Sequence, residues 1–228
     1  MAVASLLAST ETTNATRAFE VRLADYQASL QRDPTNTALL FEIADFCFDH
    51  GAQENPRAVV LAESYFRRLL DLNPSNSLAR VMLGSTLTMR GRDAFWPTAK
   101  LRHAREGLRE MDTAVAQDPQ NPRVRFERAV NNVHMPKLMQ REEIVKSDLE
   151  WLWSLANSES SSLTPSLRQN VALYYGVFLK KSHRSEEAER IWRRGLEWAP
   201  SSEVGHKIRK NLKGPFSAEE RIPPSLHR

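Results

Sequence analysis

The sequence predicts an all-α chain of antiparallel helical hairpins stacked in a row. Three observations carry this. Apolar residues recur at steps of three and four, and in "SEEAERIWRRGLEWA" Ala188, Ile191, Trp192, Gly195, Leu196 and Ala199 form one amphipathic stripe. Related proline tetrads interrupt these runs, in "RDPTN", "LNPSN", "QDPQN" and "WAPSS". The prolines are also regularly spaced: 40 residues from Pro34 to Pro74, 45 from Pro74 to Pro119, and 81, room for two units, from Pro119 to Pro200. Periods of this size mark stacked helical hairpins.

Each tetrad both stops and starts a helix. Proline disfavours helical dihedrals in the residue before it, so the preceding helix ends there. The Ser, Thr or Asn that follows accepts a hydrogen bond from a free amide of the next helix. Glycine is scarce, with 8 in the chain, and no Asn-Gly or Asp-Gly turn signals a strand hairpin.

Read in order, residues 17–34 form a lone helix, and hairpins follow at about 37–76, 77–121, 122–160 and 169–202. Residues 203–213 form a polar helix that shields the open end of the stack. The ends, 1–16 and 214–228, are expected to be flexible. Within the first hairpin, "FEIADFCF" puts Phe41, Ala44 and Phe48 on one face and Ile43, Phe46 and Cys47 on a second.

These units resemble tetratricopeptide repeats, and the resemblance implies that the stacked hairpins wind into a right-handed α-α superhelix. Residues 169–202 have the family's length, with Gly176 in the first helix and Ala188, Trp192, Gly195 and Pro200 at the family's spacing. Gly84, Gly107, Met111, Ala114 and Pro119 repeat the pattern in 77–121, and Ala44, Ala62, Phe66 and Pro74 repeat it in 37–76. Tyr26, Ser29 and Pro34 resemble the end of a lone second helix. In 122–160, Ala129, Trp151 and Ser154 fit, but Arg125 and Arg128 stand where the family prefers apolar residues, and no closing proline follows. Extra residues separate the paired helices near "AQENPR" and "RDAFWPTAKLRHA".

Composition excludes several function classes. The longest apolar runs are too short to cross a bilayer. The start, "MAVASLLAST", lacks the basic flank and long apolar stretch of a secretory signal. The lone Cys47 excludes a disulfide framework within the chain and fits a reducing compartment, so a cytoplasmic location is expected. No catalytic, cofactor or metal site is legible. The six histidines are dispersed without an i,i+4 pair, and there is no phosphate loop or nucleophile elbow. Glu110 and Asp112 read as an ordinary charged helix face, and Cys47, between Phe46 and Phe48, reads as a packing residue.

The family resemblance implies a non-catalytic scaffold that binds another protein, as a peptide or amphipathic helix, on its concave face. Carried over position by position, that face comprises Phe41, Asp45 and Phe48; Val81, Ser85 and Met89; Phe126, Val130 and His134; and Leu173, Val177 and Lys181. The same residues serve equally as packing between helices or against a tail folded inside. The slots of the family's carboxylate clamp hold Phe41, Asp45, Met82, Leu78 or Arg123, and Glu127, so no clamp for chaperone tails is expected.

Two further features carry expectations. Phe95 and Trp96 stand beside Arg92, Arg102 and Arg105, which suits either an interaction hot spot or a staple of the following helix onto the stack. Residues 1–60 carry 4 Lys/Arg against 8 Asp/Glu, whereas residues 180–228 carry 12 against 7. That asymmetry allows end-to-end self-association. The basic end and the Trp96–arginine cluster give the alternative, a nucleic-acid-binding repeat, against which the apolar inner face argues.

Overall fold

A computed structural model of the chain describes residues 2–158 and 161–213, with side chains described from Thr16 onward. The described residues form ten α-helices and one 3₁₀ turn, with no strand among them. The α-helices are α1 (Ala2–Arg32), α2 (Thr37–Ala52), α3 (Pro56–Leu72), α4 (Ser77–Asp93), α5 (Pro97–Gln117) and α6 (Pro122–Val133). After the 3₁₀ turn at Lys137–Met139 come α7 (Glu142–Ala156), α8 (Pro165–Lys181), α9 (Ser185–Trp198) and α10 (Glu203–Lys213).

The proline tetrads act as corners. Asn36, Asn76 and Asn121, each the last residue of its tetrad, accept hydrogen bonds from first-turn amides of α2, α4 and α6. Ser202 does the same for α10 through the Gly205 amide. The same chemistry recurs inside a hairpin, where Asn55 caps α3, and between hairpins, where Thr164 caps α8, each followed by proline at the first helical position.

Pairing follows chain order: α2 with α3, α4 with α5, α6 with α7, and α8 with α9, while α1 lies on α2 and α10 on α8 and α9. The first helices of successive hairpins also touch, α2 with α4, α4 with α6, and α6 with α8. Small residues set the closest approaches. A Cβ on Gly176 would lie 2.1 Å from Trp192 Nε1, so the indole occupies the space beside that glycine and donates to Leu173 O at 3.0 Å.

Several boundaries differ from expectation. Helical backbone in α1 begins at Ala2, well before the expected start at 17. The extra residues of the first two hairpins lengthen their helices, leaving only Gln53–Asn55 and Ala94–Trp96 as connections. The expected tail, 214–228, lies outside the described residues.

The buried apolar residues fall into two clusters. One runs from Phe19 to Val124 and the other from Phe126 to Ile208, so the division passes through α6.

Candidate functional site

The twelve expected groove positions are mostly core. Asp45, Phe48, Val81, Ser85, Met89, Phe126, Val130, Leu173 and Val177 are at most 8% exposed. Phe41, His134 and Lys181 are half-buried. Phe41 packs edge-on to Phe66, and both Phe126 and His134 pack edge-on to Tyr174. Lys181 Nζ donates to Val133 O at 3.0 Å. The physical reason is contact between successive first helices, which share this face. Side chains expected to line an open groove therefore stand as packing residues. At the clamp slots, Arg123 is paired with Glu127 at 2.8 Å.

The insertion differs. Phe95 is 83% and Trp96 67% exposed, with their rings edge-to-face at 5.1 Å. Neither ring staples α5 to the stack. Trp96 occupies the N-cap of α5 without a side-chain cap hydrogen bond, so the following Pro97 starts the helix and the two rings stay at the corner. Arg92 is committed to the fold, donating to Gly51 O at 3.0 Å and to Asp93. Arg102 and Arg105 are exposed on α5. A cavity of about 510 Å³ lies beside this corner, lined by Val60, Leu61, Arg90, Asp93, Ala94 and His103 among others. Val60 is 44% exposed, adding apolar surface to the Phe95–Trp96 corner.

Sequence reasoning missed a polar cluster at the seam between the two cores. Asp148 on α7 is fully buried and accepts hydrogen bonds from Arg125 at 3.0 Å and from Arg128 at 2.7 and 2.8 Å. Arg128 also reaches Asp112 on α5 at 3.2 Å, and Arg141 donates twice to Asp112, at 2.9 and 2.5 Å. Burial works against the Arg128 charge, but the hydrogen bonds and charges of Asp148 and Asp112 outweigh it and raise its pKa. Arg125 stacks over the Trp151 ring at 4.6 Å. The available signal was two arginines three residues apart, on the same helical face, at positions where apolar residues were expected.

Titratable groups elsewhere are tuned by burial. The Cys47 thiol is pushed up to about 12, which keeps it protonated. His134 is lowered to about 4, first by burial and then by the charge of Lys181. No group of three or more metal-ligating His, Cys, Asp or Glu residues occurs among the described residues. No described helix is long and apolar enough to cross a membrane.

No protein-family profile and no curated protein matches the sequence. Among solved structures, the chain superposes on a thermophilic tetratricopeptide repeat protein from Thermus thermophilus with a TM-score of 0.67 and 15% identity, over 88% of this chain and 94% of that one. It also aligns with MamA protein at a TM-score of 0.49 and 15% identity, over 91% of this chain and 92% of that one. With its proline corners, paired helices and glycine contacts, the chain has the tetratricopeptide-repeat fold.

Proposed function

We propose that the protein is a non-catalytic scaffold of the cytoplasm that binds a peptide or amphipathic helix of another protein. The contact surface is the Phe95–Trp96 corner with the neighbouring cavity. One observation carries this reading: two large aromatic rings stand exposed together at a corner of the stack, beside a cavity with an apolar rim. Aromatic anchors of this kind dominate binding energy at protein interfaces. The tetratricopeptide-repeat fold supports a scaffold in general terms.

The test is capture of a partner from the native host by the full chain and by the double variant Phe95→Ala, Trp96→Ala. Both residues are exposed, so the variant keeps its helical circular dichroism. A partner retained by the wild type and lost by the double variant supports the surface. Equal capture by both removes it.

A further inference from the structure

The Phe95–Trp96 corner stands at the head of an uncompensated cationic stripe. On α5, Arg102, Arg105 and Arg109 recur at steps of three and four, so they lie on one face of the helix. All three are exposed, and none makes an ion pair or side-chain hydrogen bond among the described residues. The buried Gly107, Met111 and Ala114 occupy the opposite side of the helix. Lys100, also exposed and unpaired, adds a fourth charge nearer the corner.

The fold itself does not balance this charge. Each of the acids on α5 is taken by an arginine from elsewhere: Glu106 by Arg67 at 2.6 Å, Glu110 by Arg80 at 2.8 Å, and Asp112 by Arg141 at 2.5 Å and Arg128 at 3.2 Å. Glu63 on α3 and Asp93, the sole acid of α4, are paired as well, with Arg67 and Arg90 and with Arg92. The stripe therefore meets solvent as net positive charge, which steers acidic partners toward it and repels basic ones. From Trp96 to Arg102 the helix rises about 9 Å, and from Arg102 to Arg109 about 10 Å more. A second helix presents side chains at the same three- and four-residue steps, so one face of it can reach both the rings and the stripe.

We propose that the segment bound at the corner is an acidic amphipathic helix of another protein, laid along the outward face of α5. Its apolar end rests on Phe95 and Trp96, and side-chain carboxylates at steps of three and four meet Arg102, Arg105 and Arg109. The contact uses a second helix of a hairpin, not the face shared by successive first helices. A single row of charges at helical spacing favours a helix over a bilayer, and the edge-to-face rings leave no parallel slot for a nucleic-acid base. Resting on the corner as a contact surface, the proposal adds the chemistry of what that surface takes.

Fluorescence anisotropy with the full chain tests the proposal, using a labelled, amide-terminated helical peptide with leucines at one end and glutamates at steps of three and four beyond them. A matched peptide carries lysine in place of glutamate. The glutamate peptide should bind at least about tenfold more tightly than the lysine peptide, and raising salt from about 50 to about 500 mM should remove most of that difference. The triple variant Arg102→Glu, Arg105→Glu, Arg109→Glu should reverse the preference and take the lysine peptide instead. All three positions are exposed, so the variant should keep its helical circular dichroism. The proposal is overturned if the glutamate peptide does not bind saturably, if the two peptides bind alike, or if the triple variant keeps the glutamate preference. Tighter binding of phosphatidylserine vesicles or of an oligothymidylate through the same arginines overturns it too. The double variant Phe95→Ala, Trp96→Ala separates this proposal from the reading it rests on. Binding lost in the double variant but kept in the triple one retains the corner and overturns the acidic partner, whereas binding lost only in the triple variant removes the corner and this partner with it.

Discussion

In the hairpin of α4 and α5, a Cβ on Gly84 would lie 2.6 Å from Gly107 O, and one on Gly107 would lie 2.5 Å from Gly84 O. In the hairpin of α6 and α7, Arg125 and Arg128 instead reach across to Asp148, with Asp112 and Arg141 beyond them. The α4–α5 hairpin is held by backbone proximity and apolar contact, with one Arg80–Glu110 ion pair at 2.8 Å across it, whereas the α6–α7 hairpin turns on the fully buried Asp148 and its two arginines. The difference coincides with the division of the core at α6. Backbones that meet at a glycine leave no room for a side chain, polar or otherwise. Long arginines span a wider gap, but each buried charge then needs a partner in the right geometry.

The largest effect expected from this contrast is at Asp148. Asp148→Ala leaves Arg125 and Arg128 without their buried counter-charge and should cost about 3–5 kcal/mol, measured by urea unfolding. Replacing Arg125, Arg128 and Asp148 together by leucine should recover most of that loss, because apolar residues of similar volume replace buried ion pairs well. A mild Asp148→Ala, or a triple variant as damaged as the single one, would show that the cluster does not hold the α6–α7 hairpin.

The ends of the first helices sharpen the same comparison. His50, at the end of α2, packs against Phe19 and Phe46; burial lowers its pKa, partly opposed by Asp49. His134, at the end of α6, is lowered further, to about 4, because burial there is joined by Lys181 rather than by an acid. A histidine with a folded pKa below its unfolded value of about 6.5 binds fewer protons in the native state. Its contribution is therefore intact above about pH 6.5 and is lost as pH falls toward 4, by no more than about 3 kcal/mol. His134→Phe should flatten the stability–pH curve in that window more than His50→Phe does. Equal slopes would mean that the two helix ends are electrostatically alike.

The corners were legible because proline and asparagine act locally: Asn36, Asn76 and Asn121 cap the helices that follow them whatever the helices later touch. The glycine and tryptophan contacts were legible for a similar reason, since spacing along a helix fixes which residues face the partner. The proposed groove was not. Periodicity gives the face on which Val81, Met89 and Val177 lie, but their burial depends on contact with helices about forty residues away. The Asp148 cluster was hidden because its partners come from three helices and the arginines look like surface residues one at a time. The exposure of Phe95 and Trp96 was half legible, as their sequence allowed a staple and a contact alike.

The smallest predicted effect tests whether the repeat pattern means the same thing in both hairpins. Gly107 and Ser154 are both small residues that fit the pattern in second helices. Gly107 is buried against α4, whereas Ser154 is exposed and bonds only within its own helix, to Trp151 O at 2.7 Å. A methyl at position 107 must displace backbone, so Gly107→Ala should cost about 1–3 kcal/mol even though alanine favours a helix. Ser154→Ala meets no such neighbour and should stay within about 0.5 kcal/mol of wild type. Similar losses at both sites would mean that α7 uses its small residue as α5 does. A loss confined to Gly107 would place the close-approach mechanism in the α4–α5 hairpin and leave the α6–α7 hairpin to its ions.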